Sequence, residues 1–423
     1  MNTTPFWTED YPLPETLPVT TQLPDSTEVL VVGAGLTGLN AAIVLGRAGI
    51  STTVVDAGAI GAGASTVNGG QVNYGLKAAT TKVFKHYGET LGRQFWDASL
   101  ESIDTVERVI EEEAIDCHFI RPGAAELGYR AKDLEEFHTE AEWLAVNVGF
   151  DLEVVGPDRI TEVIDSPVFH CAAVDKAGAS LHPARYTYGL AAAAARHGAT
   201  LVEEIEVGTV ERRAGGFLAR TAAGNIEASQ VLLATNGYTR IPQDLRRRVL
   251  PVGSYMVATE PLRDDVAERL IPHSRSIWTA RRFLNYFRRS PDNRILMGGR
   301  NDLAPDLDLI DSAQRLGGVI TEIFPELAGT PVTHTWTGRL GITFDLMPHI
   351  GQMDGVWYAL GYGGHGVGIG TYVGREVGRL LAGEIDTSPF AEIPHPSRWF
   401  YRGNPWFYPL AARWYRLLDR FGL

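Results

Sequence analysis

The sequence predicts an α/β protein: a Rossmann-type domain into which an antiparallel-sheet (α+β) domain is inserted. Three observations predict it. A glycine-rich turn, Gly33-Ala34-Gly35-Leu36-Thr37-Gly38, follows directly on the apolar run 28–32, and Asp56 closes the next apolar run, 51–55. Residues 250–325 alternate and are aromatic, as in 255–259, 283–288 and 294–300, which is the pattern of antiparallel strands. A chain of 423 residues also exceeds what one hydrophobic core usually supports.

The elements follow in order. Residues 1–27 read as an extended arm with prolines at 12, 14, 18 and 24. A βαβ unit and a second small-residue loop occupy 28 to about 75. Apolar positions recur at helical spacing over 76–116, and the glutamate run 111–113 reads as a solvated helix face. Short apolar runs broken by Gly and Pro fill 117–175, with a helix at about 131–148. His182-Pro183-Ala184-Arg185 opens an alanine-rich helix ending near Gly198, and strand-like runs lead to Ala234-Thr235-Asn236-Gly237-Tyr238. We therefore assign 28–116, 176–249 and 331–390 to the Rossmann-type domain and 117–175 with 250–330 to the inserted domain. Residues 391–423 form an aromatic tail. Its three tryptophans, three tyrosines and four arginines after residue 398 predict an amphipathic helix packed on the body or on a partner subunit rather than on a membrane.

Composition sets limits. Hydrophobic content of 44% and charged content of 21% are those of a globular protein. A net charge of −13 argues against a nucleic-acid partner and is compatible with a cationic ligand. Cys117 and Cys171 are too few for a disulfide framework, and no metal site is expected. The N-terminus lacks the basic-then-apolar plan of a signal peptide, and the apolar stretch 29–50 carries glycines, Asn40 and Arg47. A cytoplasmic protein is expected.

Each part of the first motif answers a physical need. One glycine permits a tight strand-to-helix turn, the next lets backbone approach a pyrophosphate at the helix N-terminus, and the third lets helix pack on strand. Asp56 stands where a carboxylate can accept the hydrogen bonds of a ribose. After it comes Gly61-Ala62-Gly63-Ala64-Ser65-Thr66-Val67-Asn68-Gly69-Gly70-Gln71, dense in backbone amides. A nicotinamide enzyme has no use for this second loop, whereas a flavoprotein must hold its ring and ribityl chain.

In these residues the chain resembles the FAD-dependent D-amino acid oxidase superfamily, in the branch of sarcosine, glycine and gamma-glutamylputrescine oxidases. The likeness extends to Thr335-Trp336-Thr337-Gly338-Arg339, to 343–351, to Asn285-Tyr286-Phe287-Arg288 with 294–300, and to the glycine-rich run 361–370. It implies FAD held by Gly33, Gly35, Leu36, Thr37, Gly38, Asp56, Ala57, Gly63, Ala64, Ser65, Asn68, Gly69, Gly70, Gln71, Val207, Asn236, Gly237, Gly338, Gly364, His365, Gly366, Val367 and Gly368. The helix start after Gly366 implies a positive end facing the flavin. Relatives with covalent flavin use a late Cys, or a His where Asn68 stands. This chain has neither, so non-covalent FAD is expected.

The resemblance further implies oxidation of a C–N bond in an amine or N-substituted amino acid. Hydride passes to flavin N5, the imine hydrolyses, and oxygen or an acceptor protein takes the electrons. A non-catalytic FAD-binding redox subunit is the alternative. Tyr286, His365, Trp336, Tyr255 and Tyr362 are expected to line the substrate pocket, where aromatic faces suit a cationic amine; Tyr74 and Lys77 are within reach of it. The arginine that clamps an α-carboxylate in glycine oxidase-type relatives falls at Leu340, one residue from Arg339. A shift of one residue turns a strand side chain to the other face. Arg281, Arg282 and Arg288 are the remaining candidates for such a clamp.

Overall fold

Val29, Leu30 and Val31 are fully buried because the strand Ser26–Val32 has a neighbour on each side and helices or strands over both faces. The continuous apolar run of this segment is the signature of such a strand. The computed structural model describes residues 1–281, 283–299 and 303–421, with side chains to residue 414. Arg282, Arg300 and the side chains of Tyr415, Arg416 and Arg420 lie outside the described residues.

The chain leaves Ser26–Val32 through Gly33, at φ +110°, and enters the helix Leu36–Arg47. It returns in the strand Thr52–Val55, parallel to the first. Thr200–Val202 and then Val19–Thr20 extend the sheet in parallel on that side. On the other side Gly224–Leu233 is parallel to the first strand, followed by the antiparallel strands Gly216–Thr221 and Val207–Arg213. Val356–Leu360 joins Gly224–Leu233 in parallel and carries the antiparallel strand His349–Met353. This is the Rossmann-type layer. The helix Gly368–Ala382 packs against Leu36–Arg47 through glycines: a β-carbon on Gly374 would stand 2.5 Å from the Thr37 carbonyl oxygen.

A second sheet of eight strands faces it, in the order Val332–Thr343, Val249–Thr259, Ile295–Gly299, Asn285–Arg289, Ser276–Thr279, Ala124–Gly128, Cys171–Asp175, Glu153–Val155. All its pairings are antiparallel except that of Ser276–Thr279 with Ala124–Gly128. The expected boundary at 331 moves: Val332–Thr343 pairs along its whole length with Val249–Thr259 and belongs to this second sheet. One row of register-paired residues crosses all eight strands: Trp336, Met256, Gly298, Tyr286, Trp278, Glu126, Ala173 and Val154. Paired residues share a face of the sheet, so these eight form one transverse stripe.

Both chain ends are more structured than an arm and a tail. Residues Phe6–Asp10 form a short helix whose Trp7 is fully buried. At the other end Tyr401 and Tyr408 are buried and donate to the carbonyls of Val249 and Pro251, at 3.0 Å each. Trp399, Trp406, Leu410 and Trp414 of the same segment are exposed. Among the described residues no helix is long and apolar enough to cross a membrane.

Candidate active site

A cavity of about 600 Å3 runs between the two sheets. One end is the turn after the first strand. Gly33 and Gly35 are required there: a β-carbon on Gly33 would meet the Ala234 carbonyl oxygen at 2.7 Å, and one on Gly35 the Ser65 hydroxyl at 2.7 Å. Leu36 N–H, at the helix N-terminus, donates to Ser65 Oγ at 3.1 Å. Asp56 accepts from Ala34 N–H at 2.7 Å and Gly58 N–H at 3.0 Å, and burial raises its carboxyl above the usual range. Val207, Glu206 and Arg240 close this end, the last two joined by an ion pair of 2.8 Å.

The loop after Asp56 forms the middle of the cavity. Ala57, Gly63, Ala64, Ser65, Asn68, Gly69 and Gln71 all reach its wall. Asn68 serves the loop itself. Its amide donates to the carbonyls of Ala64 and Ser65, and its carbonyl accepts from Gly70 N–H at 2.8 Å. Two tryptophans fix the loop from behind: Trp7 Nε1–H donates to the Asn68 carbonyl and Trp336 Nε1–H to that of Val67, at 2.8 Å each. Gly364, His365, Gly366 and Val367 line the opposite wall, where the helix Gly368–Ala382 begins. Asn236 and Gly338 complete this stretch.

The far end opens onto the second sheet. Ser254, Met256, Trp278, Leu284, Tyr286 and Leu340 line it, with Asn73, Tyr74 and Lys77 from the segment after the loop and Tyr362 from below. Tyr286 and Ser254 share a hydrogen bond of 3.0 Å, and Tyr362 shares one of 2.7 Å with Thr37. Burial raises the phenols of Tyr74 and Tyr362.

Several expectations are corrected. Trp336 is buried on the cavity face of its strand but is covered by the loop it holds. Tyr255 points away from its cavity-lining neighbours Ser254 and Met256; its hydroxyl donates to the Ala304 carbonyl and accepts from Leu307 N–H. Neither reaches the wall. Gly38, Gly70, Gly237 and Gly368 also stand off it and act in packing. A β-carbon on Gly38 would meet the Gly33 carbonyl oxygen at 2.0 Å, and one on Gly70 that of Leu181 at 2.2 Å. One on Gly237 would meet the Leu340 carbonyl at 2.8 Å, and one on Gly368 the Ser102 hydroxyl at 2.7 Å.

The arginine question resolves in the same geometry. Leu340 is on the wall, while Arg339 turns outward to Asp306 at 2.9 Å. Arg288 is buried and donates to the carbonyls of Gly69 and Leu181, at 2.7 and 2.6 Å. Arg281 stacks 3.7 Å above the Tyr129 ring. None of the three lines the cavity. Sequence reasoning missed Trp278, Met256, Ser254 and Leu284. No local signal marks them, because their facing depends on strand register.

The arrangement fits FAD. A glycine-only turn, a helix N-terminus and a ribose-type carboxylate stand at one end of a single cavity, with a second helix start midway along it. Comparison with known proteins agrees. The family model described as DAO, FAD dependent oxidoreductase, matches residues 28–380. "Probable oxidoreductase OrdL" of Rhizobium meliloti (strain 1021) is 32% identical over 93% of this chain and 92% of its own length. "Gamma-glutamylputrescine oxidoreductase" of Escherichia coli (strain K12) is 30% identical over 94% of this chain and 93% of its own length. Among solved structures, glycine oxidase from Geobacillus kaustophilus superposes with a TM-score of 0.76 at 18% identity, covering 88% of this chain and 100% of that one.

Proposed function

The chain belongs to the DAO family of FAD-dependent oxidoreductases, and from that premise we propose that it oxidises the C–N bond of a small amine whose acidic group, if present, is remote from the reacting carbon. The observation that carries this is the far end of the cavity. It is walled by Trp278, Tyr286 and Tyr74, and by Leu340, at the position where the resemblance to glycine oxidase-type relatives implies the arginine that holds an α-carboxylate. The likeness to an Escherichia coli protein named for gamma-glutamylputrescine supports an amine of that kind.

Bound FAD supplies the acceptor for the electron pair released from the substrate C–H bond. The protein's part is binding, orientation and charge. Aromatic faces attract the cationic amine as it enters. Desolvation between those faces lowers the amine's pKa, and its proton passes to bulk water as it enters, so no dedicated general base is needed. The amides of Gly364–Val367 and the positive end of the helix Gly368–Ala382 favour negative charge on a group held against them. Non-covalent attachment is supported by the wall's composition: Cys117 and Cys171 are buried elsewhere, and Asn68 is engaged within its loop. We take oxygen as the final acceptor.

Anaerobic mixing of the FAD-loaded protein with sarcosine, glycine, D- and L-amino acids, putrescine and gamma-glutamylputrescine tests this. Rapid bleaching of the flavin band by the last two, reversed on admitting air, is the expected result. Bleaching by α-amino acids alone would overturn the substrate assignment. Full flavin with no bleaching by any compound would favour a redox subunit.

A further inference from the structure

Of the eleven large hydrophobic side chains exposed among the described residues, five fall in one short segment: Trp399, Phe400, Trp406, Leu410 and Trp414. Ring contacts join them. Trp399 and Phe400 stand 5.8 Å apart, Phe400 and Phe407 5.6 Å, and Trp406 and Phe407 5.8 Å, while Trp406 Nε1–H donates to the Phe400 carbonyl at 3.4 Å. The segment is held to the body by its other side, where Tyr401, Tyr408 and Ala412 are buried. In the helix Tyr408–Phe421, Leu410 and Trp414 are offset by two residues from Tyr408 and Ala412 and so lie on the opposite face. A contiguous exposed apolar patch marks an interaction surface, whereas scattered exposed side chains do not.

The charge here is opposite to that of the molecule. Residues 393–423 hold five arginines and one acid in a chain of net charge −13. Arg398, Arg402 and Arg413 are exposed between the aromatic residues. Arg246, also exposed, joins them from 157 positions away: its guanidinium donates to the Gly403 carbonyl at 3.3 Å, and a β-carbon on Gly403 would stand 2.7 Å from Arg246 Nε. Two-fold pairing of copies through this patch would set arginine against arginine, which opposes a homodimer. Indoles interleaved with arginines are instead the composition of a surface that lies in the headgroup region of a bilayer without crossing it. The acidic remainder of the protein is repelled by an anionic surface, which leaves this patch as the face turned toward one. We propose that residues 398–414, with Arg246, form a peripheral docking surface for an anionic phospholipid membrane. Trp399, Trp406, Leu410 and Trp414 enter the boundary between headgroups and acyl chains, and the arginines meet lipid phosphates. This replaces the sequence expectation of a tail packed on the body or a partner subunit, because the body leaves the indoles uncovered.

Flotation of the FAD-loaded full chain with vesicles tests it, using phosphatidylcholine alone or equal parts phosphatidylglycerol and phosphatidylcholine. Wild type is expected to float with the mixed vesicles, to bind phosphatidylcholine alone more weakly, and to be released by high salt. The triple variant Trp399→Ser, Trp406→Ser, Trp414→Ser should bind the mixed vesicles roughly tenfold or more weakly. Arg402→Gln and Arg413→Gln should each weaken binding about fivefold. All five side chains are exposed, so flavin content and far-UV dichroism should be unchanged. Quenching of tryptophan emission by lipid brominated in its acyl chains reports insertion in the wild type itself, and so holds even if a variant misfolds. No flotation of wild type with the mixed vesicles, or equal flotation of folded variants, overturns the proposal. A wild-type dimer in sedimentation velocity that the tryptophan variant dissolves, with no vesicle binding, would overturn it in favour of a contact between copies.

Discussion

Gly298 lies directly beneath the ring of Tyr286: a β-carbon at Gly298 would stand 2.1 Å from Tyr286 Cζ. The two are paired across neighbouring strands, so the glycine is what lets the tyrosine lie flat along the cavity floor. Gly298→Ala is therefore expected to lift the ring, destabilise the protein by about 1–3 kcal/mol and raise KM. Adding Tyr286→Ala should recover most of the lost stability but not the KM. Thermal melts of the single and double variants check it; equal melting losses in both would refute the clash.

Trp7 reaches the cofactor loop from the N-terminal arm through a single hydrogen bond to Asn68. Trp7→Phe keeps most of the packing and removes that bond, a loss of about 1 kcal/mol. Flavin fluorescence on dilution should report FAD held roughly fivefold more weakly. Unchanged release would mean that the arm does not fix the loop.

Asp56 satisfies two main-chain donors at the end of the cavity opposite Tyr286. Asp56→Ala strands the N–H of Ala34, a fully buried residue, at a cost on the order of 1–3 kcal/mol. It also removes the carboxylate offered to the ribose. Equilibrium titration with FAD should show affinity reduced by more than tenfold, with far-UV dichroism preserved.

His395 is buried and stacked on His349 at 4.1 Å, with Tyr358 and the Arg248 carbonyl at its ring nitrogens. Burial, with His349 and Arg248 nearby, pushes it down to about 3, and Asp345 opposes this only weakly. The ring is neutral in the fold but takes up a proton near pH 6.5 when unfolded. Its stabilising contribution is complete above that pH and is lost as pH falls toward 3, at about 1.4 kcal/mol per pH unit. Between pH 7 and pH 5 the wild type should lose on the order of 2 kcal/mol more than His395→Gln in chemical denaturation. Parallel losses in the two would show that this ring does not set the acid limit.

The cofactor half of the site was legible because its signals are local. The turn at Gly33, the acid at Asp56 and the small-residue loop lie within forty residues of one another, and each has a steric reason visible in the sequence. The substrate half was legible only in part. Tyr286, Tyr362 and His365 reach the wall, but Trp336 and Tyr255 do not. Counting aromatics cannot tell which face of a strand a side chain takes; Ser254 and Met256 look into the cavity and Tyr255 between them looks out. Glu126 and Trp278 are 152 positions apart and meet only through strand pairing, which no local periodicity encodes.

The hydrogen bond between Thr37 and Tyr362 joins residues 325 positions apart. On a ribosome, the first strand, its helix and the small-residue loop emerge long before the run 361–367 that forms their opposite wall. A nascent chain can fold the early half of the cleft but cannot close it. A cleft walled on both sides therefore requires the chain through Val367, and a translation product truncated before Gly368 would lack the helix that begins there.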